Sequence, residues 1–274
     1  MEQTGKIEFR KVRDFGETIN ATFEFLKQNY KGLGLSLLYI AGPAVVLHGI
    51  VAGMNNVDVT NSRSFSFSFA YFLTFLVYIA VTQLVVSVSY GYINLYLDNE
   101  KKEFSVDEVW EEVKRNIKPL FLTGLVSLFL ILLASLALII PGIYFSVVLS
   151  IVFIVKIREN GKIPDAIARS RYLITGNWWY TFGLVIILYI IQYVFTFVLG
   201  VPQSILMFSA MFGLRGETSY AGSVIFILTT IIASFSSLFN VIFHTGMSFH
   251  YYSQLEKKEA VGLMDKLDSI KEPD

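Results

Sequence analysis

Between Lys118 and Lys156 the chain carries no acidic or basic residue. As one α-helix, residues 119–155 would measure about 55 Å, nearly twice the roughly 30 Å of a bilayer's hydrocarbon core. A stretch of this kind cannot cross a membrane once and stop; it has to fold back. Pro141-Gly142 is the turn signal inside it. The sequence therefore predicts a helical hairpin, residues 119–140 and 142–156, with Pro141 and Gly142 at the turn.

Four more uncharged runs are long enough to span: Gly32 to Gly53, residues 66–97, Tyr180 to Gly200, and residues 223–250. Pro43 is expected to kink the first and Pro202 to stop the third. Residues 66–97 contain no proline. They read as one long helix whose tyrosine-rich end, with Tyr90, Tyr92 and Tyr96, leaves the membrane. Ser87 and Gly91 form a small-xxx-small pair suited to close helix packing. Residues 203–222, with Met207, Met211 and Phe212, read as an outer interfacial segment. Composition agrees with a bilayer as solvent. Only 16% of residues are charged and mean hydropathy is +0.57, where a soluble domain carries about a quarter charged residues.

Three amphipathic stretches punctuate these runs. In residues 14–29, Asp14 and Glu17 have capping spacing, and Phe15, Ile19, Phe23 and Leu26 recur at helical intervals. In the second, Ser105 and Glu108 form a capping box ahead of Val106, Val109, Trp110 and Val113. In the third, Pro164 suits a first helical turn. Ile163, Ile167, Ser170 and Ile174 share a face, and Gly176 is placed to end the helix. Trp178 and Trp179 follow where an interfacial aromatic belt would stand.

Aligning Asn29, Asn116 and Asn177 places Ile19, Val106 and Ile167 ten residues earlier, and Leu26, Val113 and Ile174 three residues earlier. Each asparagine leads into a membrane hairpin. The pattern predicts a single membrane domain, residues 1–253, built from three parallel units, 12–97, 104–156 and 163–253. A polar tail, 254–274, carries Leu263, Leu267 and Ile270 as a weak stripe. The predicted fold is all-α: six transmembrane helices with three cytoplasmic interfacial amphipathic helices.

Charge sets the expected orientation. The arm to Lys31, residues 98–118, residues 156–178 and the tail hold 20 of the Lys and Arg residues, against Arg63 and Arg215 in the opposite loops. By the positive-inside rule both termini are cytoplasmic, in a bacterial inner membrane. The first 31 residues are rich in charge, so the first membrane helix is expected to do the targeting. Zero net charge argues against a nucleic-acid footprint. With no cysteine there is no disulfide or thiolate chemistry.

The string from Ile139 to Gly183, with Pro141-Gly142, the PDAIARS helix and Asn177-Trp178, resembles a group of bacterial integral-membrane domains. The group includes the membrane domain fused ahead of some glycerophosphoryl diester phosphodiesterases, and stand-alone uncharacterised relatives. The resemblance implies a multi-helix membrane module accessory to something else. The phosphodiesterase chemistry of such proteins belongs to a separate soluble barrel, so no catalytic residue carries over.

The membrane runs hold no Asp, Glu, Lys or Arg, which lowers the expectation of a proton- or sodium-coupled transporter. Their polar residues are Thr82, Gln83, Asn94, Gln192, Asn240, His48 and His244. Interhelical hydrogen bonds, worth about 0.6 kcal/mol each, account for them. His244 and His250 are not at the i, i+3 or i, i+4 spacing of paired helical ligands. No phosphate loop, dinucleotide glycine pattern or nucleophile elbow is present. No catalytic residue, metal or cofactor is therefore expected. Asp107, Glu108, Glu111 and Glu112 read either as acids favouring a helix N-terminus or as a docking face for a basic partner. The functional expectation is a non-catalytic scaffold or accessory subunit bound to the bilayer and to another membrane or cytoplasmic protein. The alternative is a permease or lipid-handling protein with a groove between the repeats.

Overall fold

The computed structural model describes residues 5–62, 69–101, 103–212 and 220–260. Among these residues every regular element is helical. Helix α1 (Phe15–Ser36) begins at a capping box. Asp14 accepts from the Glu17 amide at 2.8 Å, and Glu17 accepts from the Asp14 amide at 3.0 Å. The chain then passes through a π-helical turn, Leu37–Ala41, straight into α2 (Gly42–Ser62). The wider turn lies just ahead of Pro43, whose ring would strike a carbonyl in regular α geometry. The first amphipathic stretch is thus the start of a spanning helix rather than a separate helix on the surface. Its inner face is Thr18, Thr22, Phe25, Asn29 and Leu33. Phe25 takes the place expected of Phe23, which is exposed.

Helix α3 (Phe69–Asp98) is continuous, as its uncharged run predicted. Helix α4 (Val106–Ala137) starts at the Ser105–Glu108 capping box and runs through Pro119 without a break. The second amphipathic stretch is therefore also continuous with a span. The hairpin turn falls at Leu138, whose backbone is extended (φ −162°, ψ 149°). Pro141 and Gly142 lie instead in the first turn of α5 (Ile139–Val148). A helix's first amides have no intrahelical partner, so proline costs little there. A Cβ on Gly142 would sit 2.0 Å from Ser135 Oγ. The pair thus starts the return helix and lets it lie against α4; it does not make the turn.

A 3₁₀ turn, Leu149–Ile151, joins α5 to α6 (Val152–Glu159). Helix α7 (Ile163–Ile174) stands apart, with Pro164 in its first turn. Gly176, at φ +89°, follows it, as the sequence predicted. Helix α8 (Trp178–Met211) passes through Pro202. Spanning helices accommodate such a residue when neighbours re-satisfy the freed groups. Residues 203–211, expected as an interfacial segment, are therefore the end of this helix, and residues 213–219 lie outside the described residues. Gln203 accepts from Thr229 at 2.7 Å, tying α8 to α9 (Tyr220–Ser234). A 3₁₀ turn, Phe235–Phe239, leads to α10 (Asn240–Glu259). The expected tail boundary at residue 254 falls inside α10, where Gln254 is fully buried. Leu263, Leu267 and Ile270 lie outside the described residues.

Among the described residues six helical stretches are long and apolar enough to cross a membrane. Around the α4–α5 hairpin, Leu136, Leu138, Ile139 and Ile140 are 68–85% exposed. Apolar side chains bared in this way belong in lipid, not water. The chain is an all-α polytopic membrane protein. Helix α10 is its axis: Val241 to Leu255 are buried without interruption, and α1, α3 and α8 pack around them. Helices α2 and α9 meet at Gly49 and Gly53. Cβ atoms there would lie 2.5 Å from Ile231 Cα and 2.9 Å from Ile227 Cα, so only glycine lets the backbones come this close.

At the end of the bundle where α3 finishes and α4 begins, the N-terminal arm folds inward. Phe9 stacks on Phe249 at 4.1 Å and meets Phe25 edge-on at 5.5 Å. The Ile7 amide donates to Tyr96 Oη at 2.7 Å, and the Arg13 amide to Ser253 Oγ at 3.0 Å. Arg158 pairs with Asp98 at 2.8 Å at this same end, and Arg169 pairs with Glu159 and Glu259. The amino-terminal arm, the α3–α4 connection, α7 and the end of α10 therefore share one charged end.

Candidate functional site

The four acids of the second amphipathic stretch do not form one surface. Glu112 is 2% exposed. Its Oε1 accepts from Asn94 Nδ2 at 2.8 Å and from Asn116 Nδ2 at 2.7 Å, and Arg115 supplies the counter-charge. Arg158 then bridges Asn94 Oδ1 at 2.6 Å and Asp98 at 2.8 Å. Glu112 is thus the knot of α3, α4 and α6. Its place beside Val113, one turn after Val109, puts it on the buried face. Glu108 closes the capping box and pairs with Lys101. Glu111 pairs with Lys114 at 2.7 Å, not with Arg115. Only Asp107, Glu108 and Glu111 remain on the outer side.

The aligned asparagines make hydrogen bonds within the helical bundle. Asn29 Nδ2 donates to Phe25 O at 2.9 Å, and Tyr92 Oη donates to Asn29 Oδ1 at 3.2 Å. Asn116 makes the same bond one turn back, to Glu112 O at 3.1 Å. Asn177 departs from the pattern and donates across to Gln254 at 2.9 Å. Trp178 stacks between Tyr144 and Phe182, with ring centroids 6.1 and 5.2 Å away. Trp179 is 77% exposed beside it.

What the structure does bring together lies mid-span. A cavity of about 540 Å³ separates α3, α4, α8 and α10. Its polar walls include Gln83 of α3, Ser127 of α4, Gln192 of α8, and Asn240 and His244 of α10. Gln83 sits near the middle of α3, about 22 Å from either end of that helix. Gln192 Nε2 donates to Asn240 Oδ1, an interhelical bond of the kind the sequence predicted for its membrane polar residues. His244 Nδ1 lies 3.3 Å from Tyr90 Oη. Three buried atoms of the lining have no partner: Gln83 Nε2, Ser127 Oγ and Gln192 Oε1. Gln83 thus departs from the expected helix-to-helix bond. Leaving such a group unpaired in a dry interior costs about 1–3 kcal/mol.

A second hollow, about 610 Å³, shares Tyr78, Tyr189, Gln192 and Asn240 with the first. Its outer wall includes Ile190, Tyr193 and Val194, each more than half exposed. The two hollows therefore adjoin at the hydrogen-bonded Gln192–Asn240 pair, an inner chamber between the helices and a lipid-facing one. The chambers hold amides and hydroxyls but no carboxylate or ammonium. Such a lining can hydrogen-bond an uncharged polar group.

The histidines are dispersed. His48 bonds Ser234 at 3.0 Å and His250 bonds Thr181 at 2.9 Å, each on its own hydroxyl. Among the described residues no three His, Asp or Glu side chains gather where a metal could be held. Sequence reasoning picked out Gln83, Gln192 and Asn240 but missed Ser127. The available signal was Gly124, three residues earlier on α4: a Cβ there would lie 3.3 Å from Gln83 Oε1, so small residues bring this face close to Gln83.

Residues 33–255 match the family model described as Domain of unknown function (DUF7847). No curated protein and no solved structure matches the chain.

Proposed function

The chain belongs to the DUF7847 family over residues 33–255, and on that premise we propose a non-catalytic membrane protein that holds an uncharged polar amphiphile between its helices. One observation carries the reading: three unpartnered polar atoms, on Gln83, Ser127 and Gln192, line one mid-span cavity. A hydroxyl or amide headgroup in the inner chamber would give each of them a partner. Its apolar part would extend past the Gln192–Asn240 pair into the adjoining lipid-facing hollow. This develops the lipid-handling alternative. The scaffold reading is weaker, because Glu112 is consumed inside the fold.

The proposed setting is a bacterial inner membrane, with the charged end and both termini in the cytoplasm, because that end carries most of the Lys and Arg residues. The resemblance of residues 139–183 to membrane domains fused ahead of phosphodiesterases supports a membrane module without chemistry of its own.

The test uses the full chain, extracted and washed in mild detergent, with retained molecules identified by mass spectrometry. Wild type should keep an uncharged amphiphile. Ser127→Leu, which fills the chamber, should lose it, as should Gln83→Leu. Both leucine variants should remain folded, since replacing an unpaired buried polar group by an apolar one is neutral or stabilising. A folded leucine variant that retains the molecule as wild type does would overturn the proposal, as would a wild type that retains none.

A further inference from the structure

A separate hollow of about 860 Å³ lies under α7 and shares no lining residue with the two chambers. Its apolar floor includes Val126 of α4 and Phe145 of α5, and its roof includes Ile167 and Ala168 of α7. Arg171 is the only charged residue of the lining. Its neighbour Arg169 is held by two carboxylates, whereas none of the ion pairs among the described residues uses Arg171. Arg171 is exposed. A free guanidinium stands at the mouth of an apolar hollow.

The hollow also has a depth. Trp178, which stacks on Tyr144 of the lining, marks the level at which α8 meets the interface. Val126 lies eight residues beyond Lys118 on α4, about 12 Å deeper along the helix. The site therefore runs from headgroup level into the hydrocarbon. We propose that it seats one anionic phospholipid from the leaflet at the charged end, with its phosphate on Arg171 and an acyl chain over Val126 and Phe145. The complement is of charge and of depth. A basic side chain at a helix interface recognises the phosphate, and the apolar floor takes the chain.

The test reads Trp178 alone. The full-length chain carrying Trp110→Phe and Trp179→Phe is reconstituted in phosphatidylcholine vesicles containing a small fraction of brominated lipid. Brominated phosphatidylglycerol should half-quench Trp178 at a mole fraction about fivefold lower than brominated phosphatidylcholine, the ratio one surface-level cation supports. Arg171→Gln should bring the two curves together, and Arg171→Lys should keep them apart. Ala168→Leu, which narrows the hollow, should weaken quenching by the anionic lipid. Quenching by brominated phosphatidylcholine reports that each variant is inserted. Equal quenching by both lipids in the starting protein overturns the proposal. So does an anionic preference that survives Arg171→Gln, or quenching indifferent to Ala168→Leu.

Discussion

Glu112 is the residue on which the charged end turns. It takes hydrogen bonds from Asn94 and Asn116 while almost wholly buried. Glu112→Ala should leave the Asn94 amide unpaired, at about 1–3 kcal/mol, while Asn116 keeps its bond to the residue 112 carbonyl, and Glu112→Gln should cost less because an acceptor remains. Glu111→Ala, on the exposed side of the same turn, should stay within about 0.5 kcal/mol. Thermal unfolding in detergent ranks the three, and equal effects at 111 and 112 would refute the knot. At this scale the sequence was legible where a residue acts on its own backbone: Asp14, Ser105 and Gly176 sit where capping chemistry puts them. Glu112 was not legible. An acid in the early turns of a helix favours the N-terminal dipole and looks solvated; its burial is set by Asn94 of α3, which Arg158 of α6 holds in turn, and these come from two other places in the chain. Gln83 was misread for a related reason. A polar side chain in a membrane run implies a partner, but the pattern cannot reveal that the partner is missing.

Among the elements, α7 is tied down by charge as well as by its buried Leu173 and Ile174. Arg169 joins it to Glu159 at the end of α6 and to Glu259 at the end of α10. The carboxylates, Glu259 first, hold the guanidinium well above its ordinary value. Arg169→Ala should leave two carboxylates facing each other and loosen α7. The expected loss is about 1–3 kcal/mol, between an exposed and a buried pair, with faster hydrogen exchange confined to residues 163–174. The α2–α9 pair is fixed by shape instead. Gly49→Val should drive a side chain into the Ile231 backbone and cost at least the roughly 1–3 kcal/mol of overpacking, whereas Gly34→Ala, in open space, should be tolerated. Reduced yield of folded protein at position 49 alone is the expected reading. The spans were legible because charge is absent over long runs. Their breaks were less so, since proline was read as a stop. In this protein Pro119 and Pro202 lie inside helices, and Pro141 starts one. Membrane helices retain proline when neighbours satisfy the freed carbonyls.

For the molecule as a whole, sidedness is open to direct measurement, because the chain has no cysteine of its own. Single cysteines at Asn99, Thr175 and Lys258 should react with an impermeant thiol reagent from the cytoplasmic face, and those at Arg63 and Arg215 from the opposite face. The reverse pattern would invert the proposed orientation. The grouping of segments at one end was legible in their shared positive charge. The central place of α10 was not, because His244, Thr245, Ser248, His250 and Ser253 make the most buried helix look like one of the most polar. The arm adds a constraint in time. Phe9 and Arg13 are synthesised well before their seat on Phe249 and Ser253, which follows 240 residues later for the Arg13–Ser253 bond. Until α10 is made the arm has only Phe25 and Tyr96 to pack on, and a nascent chain that stalls before α10 leaves Phe9 without its Phe249 stack. Full burial of this arm therefore reports that α10 is in place.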